Sequence, residues 1–218
     1  MMPSFHPPEE TLLDYAAGNS PEAVSLVVAT HLALCPRCRA QVSDYEAVGG
    51  SLIDSVAPVA VGENALSAVL NRLEDAPVVS LPRADVPSAD LRVPQPLRDY
   101  AGGDLDSLPW RRVVPGMEEV DIDTGSLGLR ARLMRVAGGK TMPSHTHGGD
   151  EFTLVLTGAY RDASGRYERG DVQFADPEID HQPVVESGEA CVCLVVSDAP
   201  IRLTGRFGRL LNPFISYK

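Results

Sequence analysis

His31-Leu-Ala-Leu-Cys35-Pro-Arg-Cys38 is the stretch that most restricts how this chain can fold. Its spacing is H-x3-C-x2-C. A histidine and a cysteine four apart share one face of a helix, one turn from each other. Pro36 suits the first turn of a new helix, which would bring Cys38 back to the same point. An imidazole and two thiolates then meet at a corner between two helices. Zn²⁺ takes four nitrogen or sulfur ligands in a tetrahedron, so one place is left. His6, the only other histidine in the first half, is the candidate for it, although a lone histidine near a terminus is ordinarily solvated.

The flanking residues read as helices. Residues 8–17 open on Pro8 and two glutamates and stop at Gly18. A second helix runs from Ser20-Pro21-Glu22 to about Leu34, with Ser20 as N-cap and Pro21 at N1. It is apolar over much of its circumference, through Val24, Leu26, Val27, Val28, Leu32 and Leu34. A domain this small has little core to spare, so part of that surface is expected to face a partner. The third helix spans Pro36 to about Val56 and is interrupted in pattern by Gly49-Gly50. The fourth, about Glu63 to Asp75, carries Leu66, Val69, Leu70 and Leu73 on one stripe. Such a stripe is either core or a docking face.

Residues 76–96 hold Pro77, Pro82, Pro87, Pro94 and Pro96 with no periodicity, and predict an extended linker. Beyond it the pattern changes. Leu129–Val136, Phe152–Leu156, Asp171–Phe174, Pro183–Val185 and Ala190–Val196 are short, apolar or β-branched, and separated by Gly, Asp or Pro. They predict antiparallel strands in a small sandwich or barrel. The domains expected are 1–75 (helical, metal-binding), 76–96 (linker), 97–196 (all-β) and 197–218 (a tail packing back onto the barrel).

A second constellation lies in the β half. His145 and His147 are two apart and can both point into a barrel; Glu151 follows on the next strand, and His181 arrives after another hairpin. Three imidazoles and a carboxylate suit Zn²⁺ or another divalent transition metal, without choosing between them. Cys191 and Cys193 share a face of an apolar strand. They read either as small core residues or as an oxidant-sensitive pair near this site.

Composition bears on partners. The 218 residues carry a net charge of −11, which argues against direct nucleic-acid binding. Residues 1–80 hold ten acidic side chains against three arginines, a balance of −7, which suits a basic protein partner or simply aids solubility. No apolar run is long enough to span a membrane, and the start lacks the features of a signal peptide, so a cytoplasmic protein is expected. Four cysteines in a reducing compartment favour metal or redox chemistry over a disulfide framework.

With these motifs in place, the chain resembles a known family. Gly139-x5-His145-x-His147-x3-Glu151-x6-Gly158 matches the first cupin motif. Gly170 to His181 has the second motif's spacing, with Pro177 displaced by one, no internal Gly, and Val185 in place of the usual Asn. His31, Cys35 and Cys38 with His6 resemble the zinc-binding anti-sigma domain, and the two motifs in this order are similar to the ChrR group of anti-sigma factors. The resemblance implies an α+β multidomain chain, an all-α zinc domain followed by an all-β cupin jelly-roll barrel. It implies that the helical domain binds an extracytoplasmic-function (group IV) sigma factor and blocks its access to core RNA polymerase and promoter DNA. It implies too that the metal-binding cupin senses oxidative stress, singlet oxygen or a related oxidant. The signal would loosen the complex or expose the chain to a protease. The metal ligands it implies are His6, His31, Cys35 and Cys38 for Zn²⁺, and His145, His147, Glu151 and His181 for the cupin metal, with no catalytic residue. Two rivals stand beside it. One is a metal-dependent cupin enzyme of dioxygenase or isomerase type with a zinc-binding appendage, for which Arg132 and Arg135 are the nearby basic groups. The other is a redox switch in which Cys35 and Cys38 form a disulfide and expel zinc.

Overall fold

Pro8 and Pro21 sit in extended backbone directly before α1 (Glu9–Ala16) and α2 (Glu22–Leu34), where a helix has no use for the N–H that proline lacks. No side chain caps α2; Pro21 takes the N-cap position that the sequence assigns to Ser20. Cys35, extended at φ −114°, breaks the chain between α2 and α3 (Pro36–Asp54). α3 runs unbroken through Gly49 and Gly50, and α4 is Ala65–Glu74. The computed structural model describes residues 2–74, 90–205 and 208–214. Most of the predicted linker therefore lies outside the described residues, as do Phe207 and Ile215 of the tail.

The last residues of the proline-rich stretch belong to the folded body. Val93 is buried, and Pro94 leads into α5 (Gln95–Ala101), which ends on Gly102 in the left-handed conformation. Among the described residues the β half contains eleven strands: β1 (Arg111–Val114), β2 (Met117–Ile122), β3 (Arg130–Val136), β4 (His145–His147), β5 (Glu151–Thr157), β6 (Ala159–Arg161), β7 (Arg166–Glu168), β8 (Val172–Ala175), β9 (Val184–Val185), β10 (Cys191–Ser197) and β11 (Ile201–Leu203). All paired strands are antiparallel, in sheets ordered β1-β2-β3-β10-β5-β8, β7-β6-β9 and β11-β4. This is the helical region followed by a cupin-like barrel that the resemblance implies. The pairing of β11 with β4 extends the barrel past residue 196, and a 3-10 helix, Gly208–Phe214, closes on it where the Asn212 side chain bonds both backbone groups of Leu203.

β10 explains how the halves meet. It lies between β3 and β5, and both of its faces are buried, which is why it reads as an unbroken apolar run. Cys191, Cys193 and Val195 face the barrel interior with Val136, Val155, Tyr160 and Tyr167. Val192, Leu194 and Val196 face outward into a second core shared with Ala23, Val24, Leu26 and Val27 of α2. The partner face expected on α2 is thus corrected: the barrel covers it. Each valine or leucine among them contributes about 1.5–3 kcal/mol of burial. The opposite side of α2 presents Val28 to a small core with Leu12, Cys35, Cys38 and Val42.

Candidate metal centres

The first centre forms where α2 ends and α3 begins. His6, His31, Cys35 and Cys38 offer ligand atoms that all lie within 4.8 Å of one another. Cys35 caps α3, its Sγ accepting from the Cys38 amide at 3.5 Å, so one sulfur sits at the positive end of a helix dipole. The Nδ1 of His6 stands 3.5 Å from Cys35 Sγ and 3.3 Å from Cys38 Sγ. His31 is fully buried. Its Nδ1 lies 2.7 Å from the Gly170 carbonyl, which can only accept, so the proton is on Nδ1 and Nε2 carries the lone pair. That Nε2 is buried without a hydrogen-bond partner, and burial holds the imidazole neutral with a pKa of about 4. An orphaned lone pair facing two thiols and a second imidazole fits a metal ion, and the N₂S₂ donor set is one that zinc takes.

The second centre is inside the barrel. β4 points His145 and His147 inward, and the bridge between His145 and His181 brings the third imidazole. His181 Nε2 is 3.1 Å from both His145 Nε2 and His147 Nε2. His145 donates from Nδ1 to the Pro143 carbonyl and His181 from Nδ1 to Asp162, each at 2.8 Å, which leaves both Nε2 atoms as acceptors. Acceptors that close repel each other unless a cation lies among them, so the cluster also fits a metal. Burial lowers the pKa of His145 and brings that of His147 to about 4. Glu151 lies outside the triad of imidazoles. Its carboxylate is 3.8 Å from the back nitrogen of His147 and 3.4 Å from Arg132. Arg135 is elsewhere, paired with Glu118 and lying over Trp110. A cavity of about 240 Å³ opens beside the imidazoles, with Met117, Met134, Met142, Cys191 and Cys193 in its wall. The sulfurs of Cys191 and Cys193 are 3.6 Å apart, and both residues line this cavity as well as belonging to the core.

Residues 100–200 match the ChrR cupin-like domain. The anti-sigma-E factor ChrR of Cereibacter sphaeroides is 44% identical over 209 residues, 96% of each chain. The chain belongs to the ChrR family. The crystal structure of Rhodobacter sphaeroides SigE in complex with the anti-sigma ChrR superposes with a TM-score of 0.79 at 43% identity, covering 90% of this chain and all of that one. Both relatives are named as anti-sigma factors and neither as an enzyme; the enzyme reading is set aside on that ground.

Asp162 is the residue of this ChrR-family site that sequence reasoning missed. It sits in the β6–β7 turn, far from any histidine motif. Burial would raise its carboxyl, but hydrogen bonds from Ser164, Gln173 and His181 prevail and hold it at about 2. An ionised carboxylate behind a ligating imidazole fixes the tautomer. Only the Asp-x-Ser-Gly turn itself signalled it, and that pattern marks turns in general.

Acidity acts on the first centre in a defined direction. The Cys38 thiol is pushed up to about 12 by burial and then by Cys35, so binding a metal must displace its proton. His31, near 4, brings no competing proton above pH 5. Metal affinity should therefore fall on acidification from pH 8 to 6, by at least about tenfold per pH unit. Competition titrations against a chelator test this; a flat profile contradicts it.

Proposed function

We propose that this chain is a cytoplasmic anti-sigma factor that binds an extracytoplasmic-function (group IV) sigma factor through its helical region and inhibits transcription. Zn²⁺ occupies His6, His31, Cys35 and Cys38, and a divalent transition metal occupies the barrel. The observation that carries the reading is a pair of apolar stripes that nothing covers among the described residues. One is Val48, Leu52 and Ile53 on α3, the other Leu66, Val69, Leu70 and Leu73 on α4. Leu52, Ile53, Leu66 and Leu73 are 65–73% exposed. Helices that leave such faces open mark a protein-binding surface. The SigE complex formed by the ChrR relative supports a sigma factor as the occupant.

The barrel is the sensor. Support for this comes from the cavity wall, where three thioethers and two thiols lie beside the imidazoles. Thiols and thioethers are the side chains that oxidants attack, singlet oxygen included in this reading. Oxidation or a change at the metal would release the sigma factor, and a protease acting after release remains part of the proposal. The test is co-elution of the full-length, metal-loaded chain with a purified group IV sigma factor, before and after oxidant. A complex that dissociates on oxidation is expected. His181→Ala should keep the complex at rest and change the fraction released by oxidant several-fold. Absence of any complex overturns the anti-sigma reading; normal release from His181→Ala overturns the sensor.

A further inference from the structure

The N-terminal residues that deliver His6 are strapped to the barrel. The Ser4 and Phe5 amides both donate to Asp171 Oδ1, at 2.6 and 3.0 Å, and the Val172 amide donates to the Phe5 carbonyl at 3.1 Å. Asp171 is 1% exposed and its other oxygen accepts from the Glu168 amide, so it is held on both sides. Two glycines make the seat. A Cβ on Gly165 would stand 2.6 Å from the Phe5 ring, and one on Gly170, where φ is +93°, would stand 2.7 Å from Pro3. The same turn supplies the Gly170 carbonyl that orients His31. Two ligands of the first centre are thus positioned by the barrel, from a turn 130 or more residues away in the chain.

The other end of this contact reaches the second centre. Phe5 packs on Tyr167 at 4.4 Å between ring centroids, and Tyr167 stacks on Tyr160 at 5.0 Å. Tyr160 donates to Gln173 at 2.8 Å, Gln173 donates to Asp162 at 2.7 Å, and Asp162 accepts from His181 at 2.8 Å. Every link is buried or partly buried, and those between Phe5 and His181 lie on β6, β7, β8 and the β6–β7 turn.

We propose that this bridge couples the two centres: occupancy of the barrel centre sets how firmly the N-terminal centre holds its metal, with Phe5 and Asp171 as positioning residues. The inference rests on the proposal that both centres bind metal, and it assigns the route by which a signal at the barrel reaches the helices. A metal on His181 fixes Asp162, hence Gln173 and the tyrosine stack, hence the strap and His6. An empty barrel frees them.

Cobalt(II) gives the readout, because thiolate-to-cobalt charge transfer reports the first centre alone. The full-length chain is loaded with Co²⁺, and loss of this absorption is followed after adding a chelator. His145→Ala supplies the form with an empty barrel. Release from it should be at least about fivefold faster than from the parent. In a Phe5→Ala background both forms should release fast and the difference should vanish. Gly165→Ala, which evicts the Phe5 ring without touching a ligand, should do the same. Equal release from loaded and empty barrels overturns the coupling; a difference that survives both Phe5→Ala and Gly165→Ala overturns the route. Sigma binding is not part of this readout, so failure of the anti-sigma reading and failure of the bridge are told apart.

Discussion

Cys38→Ser empties the first centre and abolishes sigma binding in the same protein. Structural zinc sites hold their metal with roughly 10–16 kcal/mol, and one of four ligands carries about a quarter of that, so affinity should fall on the order of 100- to 1,000-fold. Among the described residues, the core around the site has only Leu12, Val28, Val42 and the two cysteines as buried apolar members, too few to hold three helices together unaided. The damage should be uneven. α2 keeps its contacts with the barrel through Val24, Leu26 and Val27, whereas α1 and α3 depend on the metal corner. Hydrogen exchange should show α1 and α3 opening while α2 stays protected. A metal-free variant that still binds the sigma factor at full strength would sink this prediction.

Leu66→Asp combined with Leu73→Asp should lower affinity for the sigma factor by about 100-fold or more and leave stability unchanged. Both side chains are exposed, at 71 and 66%, so replacing them costs the fold little, within about 0.5 kcal/mol. At the centre of an interface, buried apolar anchors are worth about 2 kcal/mol or more each, and a carboxylate put in their place also stays desolvated and unpaired. Leu52→Asp on α3 asks the same of the second stripe. Unchanged affinity in both variants, with a normal melting temperature, would remove α3 and α4 from the sigma-binding surface.

How much of this was legible in the sequence depended on how local each signal was. The H-x3-C-x2-C motif sits on two consecutive helices, so its spacing alone brought the ligands to one corner. His145 and His147 were readable for the same reason, and His181 was read with them as the third imidazole arriving after another hairpin. The hairpin of β1 and β2 was missed because its charges pair across strands. Glu119 is buried against Arg130 and Glu118 meets Arg135, which erases the apolar alternation that marks a strand. Asp162 and the Gly170 carbonyl were out of reach because each touches its histidine from a distant turn. The apolar circumference of α2 was visible, but what covers it is a barrel that begins some 80 residues later in the chain. That is why a partner face was expected on α2, when the open stripes are on α3 and α4.

The most direct test of the anti-sigma account is transcription in vitro from a promoter served by a group IV sigma factor, titrated with the full-length metal-loaded chain. The account predicts inhibition that completes near one chain per sigma factor and that is lost on chelation of the zinc. Undiminished transcription at a several-fold excess of folded, zinc-loaded chain would contradict it.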